Sequence, residues 1–446
     1  MMFEFGKSTL LVPALLTVSI GLVGCGGSSS GGSSNGGGGG DTSSAGITVL
    51  PERFNFGLVT EGNLPDVGPR TFTLSNEGET SYSISNMSLT GTDPADFVLD
   101  EFGGAAPCEA LTLNLAPDDS CTVAVSFAPR SFDSFNAALL LRTNDPNAAS
   151  VARSLSGTYA EVEEINLTVN QINACPRSQA AQAFITVTDQ AGFPIRDLTL
   201  DDFTLEELGI GPVSNPTVTP VGQSNTALAL SHVMDYSGSM VRADGAIENM
   251  EEAANTLING MQANDVADVI KYAAEIRFML EDFTSNREAL QAAIAEDPQF
   301  EGGTAFYDAT VAAIARLGPR DEDRRVVISL TDGRDTSSAN NLNEAIMEAL
   351  GTDIPVFTVG FGRVDVEELR ALAEDTGGLF YNPAGDANLQ QVAQQLTSLL
   401  FKDQYVITFD SALDDGESGS LEVKAEFVKD DTPFKGVGSK TILACQ

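Results

Sequence analysis

The stretch ALALSHVM at residues 227–234, followed by DYSGS at residues 235–239, decides the fold of the C-terminal half. A mostly apolar run of this length is typical of a strand that is buried on both faces of a parallel sheet. It is followed within five residues by a carboxylate, two hydroxyls and a glycine. Ligands of parallel α/β sheets bind beyond the carboxyl ends of the strands, so these polar residues indicate a binding site.

Strand and helix patterns alternate downstream of this stretch. Further strands are predicted at residues 325–330, 355–359 and 379–381. Helices are predicted at residues 306–317, 341–350, 364–374 and 389–401. Ser285 and Glu288 have the spacing of a capping box and predict the start of one more helix. The alternation predicts an α/β doubly wound sheet over residues 223–402.

Five oxygen-bearing side chains are predicted to meet at the edge where these strands end. Asp235, Ser237 and Ser239 follow the first strand with i, i+2, i+4 spacing, and Asp332 follows the strand at 325–330. Thr304 comes after two glycines that allow close approach of the backbone. Hard oxygen ligands suit Mg²⁺ or Mn²⁺, and Ca²⁺ less well. Any one of these residues alone could be a helix cap or a turn residue. Together, in this order, they favour a metal site.

The pattern Asp235-x-Ser237-x-Ser239 with Thr304 and Asp332 resembles the metal-ion-dependent adhesion site of von Willebrand factor A (VWA) domains. The resemblance extends from about residue 224 to residue 401. It implies that Ser237 and Ser239 are direct metal ligands, that Thr304 is a conditional one, and that Asp235 and Asp332 act largely through water. It also implies a vacant coordination position that an Asp or Glu side chain of a protein partner fills.

Strand patterns also lie on both sides of the VWA-like segment, at residues 161–222 and 403–446. They resemble the β-sandwich that brackets the VWA unit in bacterial VWA-related proteins. The resemblance implies one small sandwich into which the VWA domain is inserted.

Residues 47–160 show short alternating runs separated by turn signals, which predicts an all-β sandwich. Pieces such as Phe56-Gly57, residues 125–129 and Asn144-Asp145-Pro146 resemble the ASPM/SPD-2/Hydin-like, immunoglobulin-type repeat of bacterial surface proteins. The resemblance implies an immunoglobulin-like spacer or interaction module.

The N-terminus carries targeting signals. Lys7 precedes a largely apolar run from Leu10 to Val23, which is too short for a membrane-spanning helix and predicts a signal peptide over residues 1–24. The run closes on residues 22–25, which resemble a bacterial lipobox with Cys25 as the lipidated residue. Residues 25–46 are rich in Gly and Ser and predict a flexible tether. Gly26 after the cysteine, rather than Asp, implies the outer membrane by resemblance to diderm lipoproteins.

The remaining four cysteines form an even set in an exported chain, which predicts disulfides. Three pairings are possible. We favour Cys108 with Cys121, which closes a local loop, and Cys175 with Cys445, which lie at the outer ends of the two flanking strand regions.

The composition of the chain argues against several classes of function. The 446 residues include 24 Lys and Arg against 63 Asp and Glu, and a net charge of −39 argues against nucleic-acid binding. One histidine, His232, excludes a multi-histidine zinc site and most histidine-dependent catalysis, and we expect it to be a core or semi-buried residue whose hydrogen bonds are satisfied. We do not favour a metal-dependent hydrolase, because the sequence shows no positioned general base beyond the ligand carboxylates themselves.

Together these features predict a lipid-anchored binding protein of the cell envelope, not an enzyme. It would capture a protein ligand through the metal, for adhesion or for envelope assembly. The alternative is a non-catalytic regulatory or scaffolding subunit of an envelope enzyme or export complex.

Overall fold

The computed structural model describes residues 46–174, 180–243, 245–300, 302–362, 364–382, 389–414 and 416–443. The predicted signal peptide, the lipidation site at Cys25 and nearly all of the tether lie outside the described residues, as do Cys175 and Cys445. Among the helices that are described, none has the length and apolarity needed to cross a bilayer.

The N-terminal β region consists of two sheets around one apolar cluster. Its strands are β1 (Ile47–Leu50), β2 (Arg53–Thr60), β3 (Arg70–Asn76), β4 (Tyr82–Gly91), β5 (Phe97–Asp100), β6 (Leu113–Leu115), β7 (Ser120–Phe127), β8 (Asp133–Thr143) and β9 (Ser150–Ala160). The sheet orders are β1-β3-β7-β5 and β2-β9-β8-β4-β6. Alternate residues of each strand point inward, so Phe56, Phe72 and Phe127 from both sheets meet in the cluster. The predicted disulfide between Cys108 and Cys121 is confirmed.

Residues on either side of the VWA-like segment pair with each other in two further sheets, which we call the bracketing sheets. The strands before the segment are β10 (Ile165–Asn173), β11 (Ala181–Asp189), β12 (Phe203–Glu207), β13 (Gly211–Pro212) and β14 (Ser214–Pro220).

The central segment is a six-stranded sheet with helices on both faces. Its strands are β15 (Leu228–Asp235), β16 (Val266–Tyr272), β17 (Ile276–Phe278), β18 (Arg324–Thr331), β19 (Val356–Gly360) and β20 (Phe380–Tyr381). Its helices are α1 (Gly238–Arg242), α2 (Ala246–Gly260), α3 (Arg287–Ala295), α4 (Phe306–Leu317), α5 (Leu342–Thr352), α6 (Val366–Thr376) and α7 (Leu389–Ser398), the last continued by a π-helical turn at Leu399–Asp403.

The strands after the segment complete the bracketing sheets. They are β21 (Tyr405–Asp410), β22 (Ser418–Lys429) and β23 (Thr432–Leu443), and the sheet orders are β10-β11-β21-β14 and β13-β12-β22-β23. Each sheet therefore combines strands from both flanks. A single cluster that includes Ile185, Leu205, Ile407 and Val423 lies between them.

The central sheet has the order β17-β16-β15-β18-β19-β20 and is parallel except for β17. On β15, Leu230 and Met234 pack on one face with α2, α3 and α7, while Ala229 and Val233 pack on the other with α4, α5 and α6. This two-sided burial explains the nearly uninterrupted apolar run of the strand.

Some local predictions were inaccurate. The capping box at Ser285 is wrong, because Asn286 is the N-cap of α3 and its side chain accepts the N–H of Ala289 at 3.1 Å. The helix α2 and the strand β16 were not predicted. In α2 the buried residues recur at helical spacing, but three of the six are alanine, which weakens the apolar signal of this face in the sequence.

Candidate metal centre

Asp235 is the last residue of β15 and is held by two neutral donors. The backbone N–H of Ser237 donates to Asp235 Oδ1 at 2.7 Å, and the hydroxyl of Thr331 donates to Asp235 Oδ2 at 2.7 Å. The side chain is fully buried between the ends of β15 and β18. Its orientation is therefore fixed by the sheet and by the start of α1.

The two serines and the second aspartate form a continuous line of oxygens. Ser237 Oγ lies 3.1 Å from Ser239 Oγ, and the Ser239 hydroxyl donates to Asp332 Oδ1 at 2.8 Å. Ser237 is the N-cap of α1, Ser239 lies in its first turn, and Asp332 directly follows β18. Residues 93 positions apart in sequence thus meet at one edge of the sheet.

Thr304 faces the same place. A β-carbon on Gly333 would lie 3.6 Å from Ser239 Oγ and 3.7 Å from Thr304 Oγ1, so both hydroxyls border the space beside this glycine. The Thr304 N–H donates to Thr336 Oγ1 at 2.9 Å. The neighbouring Gly303 is needed for close approach, because a β-carbon there would lie only 2.2 Å from Ser337 Oγ.

The charge of this cluster fits a cation. Burial, and to a smaller degree the charge of Asp332, raises the pKa of Asp235 to about 6. No Lys or Arg among the described residues lies within ion-pair distance of Asp235, so only neutral hydroxyl and amide donors stabilise its carboxylate. The donors that converge are all oxygens, which are the ligands that Mg²⁺ and Mn²⁺ prefer.

The cluster is not rich in carboxylates. Within the described ranges, no three His, Cys, Asp or Glu side chains come together as a metal site. A cation here would depend on the hydroxyls of Ser237, Ser239 and Thr304. The residues present therefore fit the donor set of the adhesion-type site better than an all-carboxylate one.

His232 is buried, as expected, and is turned away from the cluster, but the expectation of satisfied hydrogen bonds is wrong, because neither ring nitrogen has a partner among the described residues. Successive residues of a strand point to opposite faces, and His232 lies three positions before Asp235 on β15. Burial lowers its pKa to about 4, so it is neutral at physiological pH. It takes no part in the candidate centre.

Sequence reasoning missed the residues that support the cluster. Thr331 orients Asp235, and Thr336 holds the backbone of Thr304. Asp335 accepts the N–H of Tyr307 at 3.0 Å and the Ser338 hydroxyl at 2.5 Å, which fixes the loop after β18. The only signal in the sequence is the density of short polar residues after that strand.

Residues 230–395 match the family model of the von Willebrand factor type A domain. These residues form a VWA domain. No curated protein matches the chain.

Several solved structures are similar to this chain at low identity. A von Willebrand factor type A protein from Catenulispora acidiphila is 16% identical, over 64% of this chain and 74% of that one, with a TM-score of 0.38. Proximal thread matrix protein 1 from the mussel byssus, with a zinc-occupied MIDAS motif, is 16% identical over 44% of this chain and 50% of its own, also with a TM-score of 0.38.

A third similar structure is the vWF domain of the type V pili tip protein Mfa5 from Porphyromonas gingivalis. It is 12% identical over 40% of this chain and 96% of that chain, with a TM-score of 0.34. This chain spans half the length of the mussel protein. The assignment of the VWA domain rests on the match of residues 230–395 to the family model.

Proposed function

We propose that this chain is a lipid-anchored binding protein of the cell envelope that captures a protein ligand through a divalent cation in its VWA domain. The observation that supports it is the line of oxygens from Ser237 through Ser239 to Asp332, beside the buried Asp235. Such a cluster at the carboxyl edge of a parallel sheet is where ligands of this architecture bind. The role is binding in adhesion or envelope assembly, not catalysis.

The five side chains of the candidate centre have different roles in this proposal. Ser237 and Ser239 would hold the cation directly, Thr304 would join when a ligand is bound, and Asp235 and Asp332 would act largely through water. The cation, Mg²⁺ or Mn²⁺ rather than Ca²⁺, supplies a Lewis-acidic position for an Asp or Glu oxygen of the partner. With hydroxyls as direct ligands, little of its positive charge is neutralised by the protein.

Acidity makes the cation essential in this proposal. A chain of net charge −39 repels an acidic partner at long range, although salt screens charges beyond about 8 Å at physiological ionic strength. We therefore expect metal removal to abolish capture rather than weaken it slightly.

The test is metal-dependent capture by the full-length chain from an envelope extract. We expect a partner in Mg²⁺ that is lost in EDTA and lost with Asp235→Ala or Ser239→Ala. Ser85→Ala, which removes an exposed hydroxyl from the N-terminal β region, is the matched control. Equal partner recovery by the parent and by both site variants would reject the proposal.

Two further measurements separate the parts of this function. Attachment of cells that EDTA reverses would favour adhesion, whereas one partner that co-purifies stably from the same cell would favour the regulatory or scaffolding role. Loss of membrane partitioning with Cys25→Ser tests the anchor, and unchanged partitioning would refute it.

A further inference from the structure

Two arginines lie on the same short segments as the candidate metal ligands. Arg242 follows Ser239 by three residues on α1, and Arg334 follows Asp332 by two. Cationic residues are scarce in this chain, with 24 Lys and Arg against 63 Asp and Glu. Arg242 is the one cation between residues 224 and 270.

Arg242 lies against the turn that carries the two serines. It shares a helix face with Gly238 and Ser239, which precede it by four and three residues. Its Nη1 atom is 3.0 Å from where a β-carbon on Gly238 would be, so the guanidinium packs over the turn because this residue is glycine. Arg242 is exposed, and none of the described acidic side chains forms an ion pair with it.

Arg334 extends from the loop after β18. Its side chain is 70% exposed, and its Nη2 atom lies 3.1 Å from Asp365 Oδ2. It directly follows Gly333, the residue that both Ser239 and Thr304 border. One ion pair leaves most of the five N–H donors of a guanidinium open to a further acceptor.

The acidic groups nearby are Asp335, Asp365 and Glu275, and Asp365 neutralises part of the charge of Arg334. Both oxygens of Asp335, the residue after Arg334, already accept hydrogen bonds from backbone N–H groups of its own loop and of α4. Asp365 caps α6, where its side chain accepts the N–H of Glu368. Glu275 is exposed on the turn after β16, one residue from Ala274, which borders Gly302.

We propose that Arg242 and Arg334 form a cationic rim around the metal centre and select a ligand in which further carboxylates flank the one that binds the cation. The partner class is thus an acidic segment rather than an isolated Asp or Glu. This inference rests on the proposed function, because the rim adds to a carboxylate held at the centre. Opposite charges at an interface rim raise the association rate and decide between partners.

The expected effect is modest in size. An exposed ion pair contributes about threefold in affinity, so two pairs give about tenfold. The contribution falls as salt rises, because both arginines are exposed to solvent.

The test compares two fluorescent peptides of equal length on the full-length chain in Mg²⁺. One peptide carries a single Glu between Gly and Ser residues, and the other carries three consecutive Glu. The variants are Arg242→Gln with Arg334→Gln, and Arg130→Gln as the matched control, since Arg130 is exposed in the N-terminal β region. We expect the parent and the control to bind the three-Glu peptide about tenfold more tightly than the one-Glu peptide.

The double variant should lose this preference while its affinity for the one-Glu peptide stays unchanged. A preference that survives in the double variant overturns the inference, as does equal binding of the two peptides, or no binding of either, by the parent. Metal-dependent binding with equal affinity for the two peptides would support the proposed function and reject the cationic rim. A preference that persists in EDTA, but is lost in the double variant, rejects the proposed function and a rim that acts around a bound cation, since the two arginines would then bind the acidic peptide on their own.

Discussion

His232 makes the folding stability of the VWA domain depend on pH. It is the one histidine of the chain, it is fully buried on β15, and neither ring nitrogen has a hydrogen-bond partner among the described residues. Its strand neighbours in register are Val269 and Ile328. Because this environment cannot solvate an imidazolium, burial lowers the pKa from 6.5 to about 4.

The sign of the effect follows from proton linkage. Between pH 6.5 and 4 the unfolded chain binds a proton at His232 that the native chain does not, so the free energy of unfolding falls as the pH falls. With these two pKa values the loss is about 2 kcal/mol at pH 5 and about 3 kcal/mol at pH 4. Above pH 7 the contribution is zero.

His232→Met removes the titrating group and fills the same space with an apolar side chain. At pH 7.5 we expect the variant to be as stable as the parent or more stable, because burying an unpaired donor and acceptor costs about 1–3 kcal/mol. At pH 5 its advantage should grow by about 2 kcal/mol. Measurements below pH 5 are unsuitable because the sequence pI is about 4.1.

The assay is urea unfolding in EDTA at pH 7.5, 6.5, 5.8 and 5, followed by near-ultraviolet circular dichroism. Four of the seven tyrosines lie in the VWA domain, and the chain has no tryptophan. Burial also raises the pKa of Asp235 to about 6, which stabilises the native state as the pH falls and so opposes the effect of His232. Asp235 is present in both proteins, so its contribution cancels when the free energy of unfolding of the variant is compared with that of the parent. A difference that does not change from pH 7.5 to pH 5 would refute the reasoning.

Other predictions concern the metal, the backbone and the disulfide. Mg²⁺ at 100 times its dissociation constant should stabilise the parent by about 2.7 kcal/mol in a thermal melt and leave Asp235→Ala unchanged; no shift in the parent counts against the centre. Gly378→Ala should unfold the domain, since the new β-carbon would lie 2.0 Å from a backbone carbonyl oxygen of β19. Gly351→Ala, where the β-carbon meets open space, should stabilise α5 by about 0.5–1 kcal/mol. A urea midpoint that is higher for Gly378→Ala than for Gly351→Ala would contradict this prediction. Replacing Cys108 and Cys121 by serine should lower the free energy of unfolding by about 3 kcal/mol, because the unfolded chain is no longer restricted by the loop that the disulfide closes. An unchanged urea midpoint would show that the disulfide does not stabilise the fold.

The strongest parts of the fold prediction came from segments where one physical signal dominates. Helix α4 was predicted at its observed bounds, because its apolar residues keep helical spacing from Phe306 to Leu317. The strand β18 was predicted within one residue at each end, because two-sided burial leaves four of the five residues 326–330 apolar. Helix α2 was not predicted, because half of its buried residues are alanine, which carries little hydrophobic signal.

The position of α3 shows the limit of local motifs. Ser285 and Glu288 match a capping box, yet Asn286 is the cap, since Asn caps a helix as well as Ser does and tertiary contacts set the register. For the candidate centre, strand ends could be aligned from sequence because a parallel sheet places them at one edge. The supporting role of Thr331 toward Asp235 could not, because it depends on how two neighbouring strands are aligned across the sheet.

The bracketing sheets contact the VWA domain at the edge of its sheet opposite the candidate centre. In the bracketing sheets, the Asn170 side chain donates to the carbonyl of Gly377, and the Ile172 N–H donates to the carboxylate of Asp353, each at 2.8 Å. Lys440 pairs with the same carboxylate at 2.9 Å. Gly377 and Asp353 end α6 and α5 and lie three residues before β20 and β19, so these contacts lie at the amino ends of the strands.

The candidate ligands lie at the carboxyl ends, one strand length away. For the eight residues of β18 that separation is about 25 Å. A macromolecular ligand can therefore approach the carboxyl edge of the VWA domain without displacing the bracketing sheets. If the proposed anchor holds the chain through its N-terminus, pulling on a captured ligand would load the β15 and β18 strands along their length. A parallel pair loaded in this way must break its hydrogen bonds together rather than one after another. The same strands that align Asp235 with Thr331 would thus carry the force of attachment.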